Sequence, residues 1–111
     1  MIQYQLKIVA KQYKDGELVS FLNSISQEIR EEKGCASIEL YRDMEKENAL
    51  TMVGMWNNRK AMGEHFQGEN YKALLGAAKV LGESYEIKIA ELLDKNGWNC
   101  DKMILNKETI S

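Results

Sequence analysis

The chain has 111 residues, with one His, two Cys and no Pro, and its 15 Lys+Arg against 17 Asp+Glu give a net charge of -2. That length fits one domain around one core, and the slightly acidic balance, with no basic run, gives nucleic acid or an anionic membrane no electrostatic handle. No apolar run approaches the ~20 residues needed to span a bilayer, and the strand-like N-terminus does not read as a secretion signal, so a cytoplasmic protein is expected.

In chain order, residues 2–11 alternate Ile2, Tyr4, Leu6, Ile8 and Ala10 against Gln3, Gln5, Lys7, Val9 and Lys11, which reads as a half-buried strand ended by Lys14-Asp15-Gly16. Residues 17–33 repeat Leu18, Phe21, Leu22, Ile25 and Ile29 at spacings of three and four, an amphipathic helix that Gly34 closes. Residues 35–42 form a second strand, with Ala36, Ile38 and Leu40 on one side and Cys35, Ser37, Glu39 and Tyr41 on the other. Residues 48–56 alternate again, with Leu50, Met52, Gly54 and Trp56 on one face and Ala49, Thr51, Val53 and Met55 on the other. Both faces of this strand are apolar, which calls for a cover on each: helices on one, a second subunit on the other.

Asn57 or Asn58 can cap the helix that follows, whose inward stripe holds Ala61, Met62, His65 and Phe66. A second helix over residues 69–81 buries Tyr71, Leu74, Leu75, Ala78 and Leu81, and residues 85–93 read as the last strand of the domain. The order is β-α-β-β-α-β, an α+β, ferredoxin-like fold with an antiparallel sheet and helices on one face. Residues 94–111 form an extension whose apolar Trp98, Met103, Ile104 and Leu105 are expected to dock. Cys35 and Cys100 are far apart and read as reduced thiols; with a single His and no Cys pair at ligand spacing, no metal site is expected.

The element order, together with Gly34-Cys35, the strand-end Trp56, Ala61, His65 and Tyr71, resembles the antibiotic biosynthesis monooxygenase family over residues 2–93. The resemblance implies a dimeric α/β barrel with one pocket per subunit between sheet and helices; the domain is then expected over residues 1–93, and the apolar extension over 94–111 to pack on the dimer, as a strand on the partner's sheet edge or as a helix turn. It implies oxidation of a quinol-like or aromatic polyketide-like molecule by O2 without a cofactor. Two other readings stay open: a small-molecule binding module without turnover, and an isomerase of a small sugar phosphate, for which Arg59 is the one phosphate-binding candidate. Many family members carry a Glu where this chain has Gly54, and the haem-degrading branch carries an axial His where it has Leu75, so haem chemistry is not expected.

For such an oxidation His65 is the candidate base, since an imidazole exchanges protons near neutrality and burial favours its neutral form. Trp56 offers an aromatic wall with an N–H donor, and Tyr71 or Tyr41 a hydroxyl for the substrate anion. Met52, Gly54, Met62 and Leu75 are the expected substrate-binding residues, with Tyr41 facing either the pocket or the dimer interface. His65 and Trp56 read equally as core: a buried histidine paired with a carbonyl, and an indole filling volume.

Overall fold

The computed structural model describes residues 1–94, 97–98 and 104–109, with side chains through 91. β1 (Ile2–Ala10) buries Ile2, Tyr4, Leu6, Ile8 and Ala10 and turns Gln3, Gln5, Lys7 and Val9 to the other face, the alternation demanded of a strand covered by helices on one side. It lies at the centre of the sheet. It pairs antiparallel with β3 (Ala49–Trp56), from Ile2 opposite Trp56 to Val9 opposite Ala49. On its other side it pairs antiparallel with β4 (Gly82–Asp94), and β2 (Cys35–Arg42) completes the order β2-β3-β1-β4.

Three helices cover the buried face: α1 (Asp15–Arg30), α2 (Arg59–Phe66) and α3 (Glu69–Leu81). The arrangement is the ferredoxin-like α+β fold, with the second crossover broken into two helices at Gln67-Gly68. Beyond it, β5 (Gly97–Trp98) pairs with the end of β4, and β6 (Ile104–Thr109) pairs with β4 from Ser84 to Ile89. Asn96, Cys100 and Met103 lie outside the described residues. Among the described residues no helix is long and apolar enough to cross a membrane.

Three local details depart from the sequence pattern. First, β2 does not alternate cleanly: its register against β3 passes from Cys35–Trp56 to Ser37–Met55, so Ala36 is the extra residue of a bulge. Cys35 therefore returns to the core side beside Trp56, while Ala36 is exposed. Second, α1 stops at Arg30, because Glu31-Glu32-Lys33 offers nothing apolar to bury after Ile29, and Gly34 serves the following turn with φ 85°. Third, the face of the sheet away from the helices is not a continuous apolar patch. Val53 lies between Gln5 and Glu39 on neighbouring strands, and Met55 between Gln3 and Ser37.

Gly34 makes a tight approach on which the site depends. A Cβ there would fall 2.4 Å from the Cβ of Ala61, so the turn between α1 and β2 rests directly on α2. Gly34→Ala combines this clash with a left-handed backbone and is expected to cost about 1–3 kcal/mol, read as a lower midpoint in urea with an unchanged slope.

Candidate functional site

Asn58 starts α2 by accepting the Ala61 N–H on its side-chain oxygen at 2.8 Å, and that phase turns Met62 and His65 inward. The neighbouring Asn57 N–H donates to the Gly34 carbonyl at 2.9 Å, which ties the end of β3 to the α1–β2 turn. Ala61 under Gly34 lies one helical turn before His65, so the same contact that seats the turn carries Glu32 to the imidazole.

His65 is 2% exposed and has a partner on each ring nitrogen. Nδ1 lies 2.9 and 3.1 Å from the two oxygens of Glu32, and Nε2 lies 2.8 Å from the Tyr4 hydroxyl. Asn70 donates its amide N–H to Glu32 Oε2 at 2.9 Å and so holds the carboxylate in place. The ring stacks on Trp56 with centroids 4.4 Å apart and planes 26° from parallel, while Tyr71 meets it edge-on at 5.4 Å. Phe66 completes the aromatic cluster against Tyr4 and Tyr71.

These contacts define the protons. A carboxylate accepts but does not donate, so Nδ1 carries the hydrogen. Burial pushes the His65 pKa below its ordinary value, with the Glu32 hydrogen bond and charge opposing it more weakly, so the ring is neutral and Nε2 is a bare acceptor for the Tyr4 O–H. Burial, then Tyr71, Glu32 and Cys35, raises the Tyr4 pKa well above its usual value, so Tyr4 remains a hydroxyl. The Trp56 indole N–H is buried with no acceptor. Gly54 keeps this region open to ring atoms: a Cβ there would fall 3.0 Å from Tyr4 Cε1 and 3.2 Å from Trp56 Nε1.

Of the residues singled out in the sequence, the fold brings His65, Trp56 and Tyr71 together, and sets Gly54 and Met52 beside Tyr4, with the Met52 sulfur 4.0 Å from its hydroxyl. Met62 is buried on α2, and Leu75 packs half-buried against the core. Tyr41 stands apart. It is 53% exposed, donates to Glu39, and borders a cavity of about 150 Å³ between α1 and the far ends of β2 and β3, with Leu22, Leu40 and Leu50. Arg59, the phosphate candidate, stands away from His65 at the surface and is paired with Glu91 through two hydrogen bonds.

Tyr4, Glu32 and Asn70 were not legible as site residues. Tyr4 reads as one more core position of β1, although a hydroxyl on a buried face must find a partner, and that was the available signal. Glu32 sits in a charge run that nothing distinguishes from Glu31.

Fold and site together define a ferredoxin-like domain with a buried, histidine-centred aromatic site. The antibiotic biosynthesis monooxygenase family model matches residues 3–76, and the chain belongs to that family. It is 30% identical over 81 residues, 73% of this chain and 85% of the other, to "Putative monooxygenase YcnE" of Bacillus subtilis. It is 27% identical over 88 residues to the uncharacterized protein sll1783 of Synechocystis, a match that takes in 78% of this chain and 60% of that protein's length. A crystal structure described as a putative antibiotic biosynthesis monooxygenase from Deinococcus radiodurans superposes with a TM-score of 0.79 at 22% identity, covering 85% of this chain and 94% of that one. At that identity the likeness is one of fold.

Because the folded protein holds His65 neutral where an unfolded chain binds a proton, stability is full above the ordinary histidine range, about pH 6.5, and falls as pH drops through it toward the depressed pKa. In His65→Gln that slope is expected to flatten, which urea melts across pH 4.5–7.5 measure.

Proposed function

We propose that this protein is a cofactor-independent monooxygenase that oxidises quinol-like or aromatic polyketide-like molecules with O2. Family membership supports the class of reaction. The observation that carries the reading is the neutral, buried His65, stacked on Trp56 with its bare nitrogen toward a hydroxyl, in surroundings suited to a flat aromatic molecule. Removal of one proton from a phenol or an anthrone-like carbon acid leaves an anion that gives an electron to O2. The substrate radical and superoxide then join through a C–O bond, and loss of water leaves a carbonyl, so O2 supplies one oxygen to product and one to water. The protein's part is to bind the ring, take the proton and exclude bulk water.

Met52, Met62 and Leu75 supply apolar contact for the substrate in this reading, and Tyr71 with Phe66, both half-buried, are the rings that part from His65 to admit it. A homodimer belongs to the same reading, with the second copy on the open sheet face that carries Val53 and Met55. A second reading, a binding module without turnover, draws on a different observation: both nitrogens of His65 are already engaged and its side chain is enclosed.

Oxygen uptake by the purified protein with a panel of hydroquinones and anthrones, corrected for autoxidation, separates the two. Uptake that falls about 10²-fold or more in His65→Gln is the expected result. Absence of uptake with every compound, beside a ligand-dependent rise in Tm, would favour the binding module.

A further inference from the structure

We propose that Tyr4, His65 and Glu32 form a proton relay from the interior of the site to solvent, in which the Tyr4 hydroxyl, and not the imidazole, meets the ionising group of the substrate. The proposal rests on the monooxygenase reading and names the machinery of the same site. His65 has no lone pair to offer a substrate directly: Nε2 is occupied by Tyr4, Nδ1 by Glu32, and one ring face is covered by Trp56. A base in that position acts through a neighbour. The three groups stand in single file, from Tyr4, 0% exposed in the first half of the central strand, to the Glu32 side chain, 24% exposed. Glu32 is thus the end of the chain that exchanges protons with water.

The inner end has the second feature the reaction requires. The Trp56 N–H is buried without an acceptor, and at Gly54 the missing Cβ lets the Tyr4 ring and the indole nitrogen lie side by side, so the free donor and the ring that carries the relay hydroxyl are neighbours. A substrate oxygen brought to Tyr4 Oη when Phe66 and Tyr71, which pack on the Tyr4 ring, part to admit it passes its proton to that oxygen while the Tyr4 proton moves to His65 Nε2. The O–H electron pair stays on the substrate as an anion that the Trp56 N–H meets, and the imidazolium is held by Glu32, which releases the proton to solvent. The anion then reduces O2 as in the reaction above. Tyr4 is the catalytic residue of this scheme, and Glu32, fixed by Asn70, is a positioning residue. The other titratable groups facing the relay are Tyr71 on α3 and Cys35 on β2.

Two measurements test it. The tautomer of His65, read from its ring ¹⁵N shifts in the substrate-free protein, is expected to be Nδ1–H; an Nε2–H ring overturns the relay whatever the activity. In oxygen uptake, Tyr4→Phe is expected to lower kcat about 10²-fold or more with KM little changed, and Glu32→Gln to lower kcat and move the acid limb of the pH profile to lower pH, because Glu32 is what favours the imidazolium. A Tyr4→Phe protein that folds and works as well as wild type, beside an inactive His65→Gln, overturns the relay and puts the imidazole on the substrate. A wild-type protein inert with every compound instead overturns the monooxygenase reading, and the tautomer then decides the relay's geometry alone.

Discussion

A buried imidazole needs a partner on both nitrogens, because each unpaired polar group in an interior costs about 1–3 kcal/mol. In this fold that requirement joins four elements at one point. β1 supplies the Tyr4 hydroxyl, the α1–β2 turn supplies Glu32, α3 supplies Asn70 to hold Glu32, and the end of β3 supplies the Trp56 ring beneath the imidazole. The network is polar at its heart and aromatic around it, so it fixes a single arrangement of the elements where packing alone would tolerate several.

Space is arranged around the same point by two missing side chains. At Gly34 the absence of a Cβ lets a turn lie on α2, and the left-handed backbone needed there is one that glycine adopts without strain. At Gly54 the absence of a Cβ makes room for the Tyr4 ring beside the indole nitrogen. A larger residue at Gly54 would meet Tyr4, Ile38 and Trp56 together. The carboxylate that reaches the site comes from the turn after α1, and it approaches His65 from the solvent side.

The place of Glu32 at the rim has a physical sense, since a carboxylate whose side chain is 24% exposed keeps part of its hydration while it accepts from His65, whereas one sealed in the core would lose it all. Away from the imidazole, Arg59 pairs with Glu91, and Lys33 and Lys60 border a cavity of about 350 Å³ with Asn57, Asn58 and Glu64.

The sequence by itself determined the elements and their order, because period-two alternation in residues 2–11 and three-and-four spacing in 17–29 each mark one face for burial, and residues 48–56 read as a strand apolar on both faces. It also pointed to His65 and Trp56, since a lone imidazole on an apolar stripe and an indole at a strand end stand out from their neighbours. What only the tertiary structure decided is which groups those rings meet. Tyr4 lies 61 positions and Glu32 33 positions from His65, and Asn70 38 positions from the Glu32 it holds, and no local pattern encodes such pairings. The bulge at Ala36, the early end of α1 and the placement of Tyr41 away from the site are likewise results of packing, in which register against a neighbouring strand and the fit of a turn on a helix outweigh local alternation.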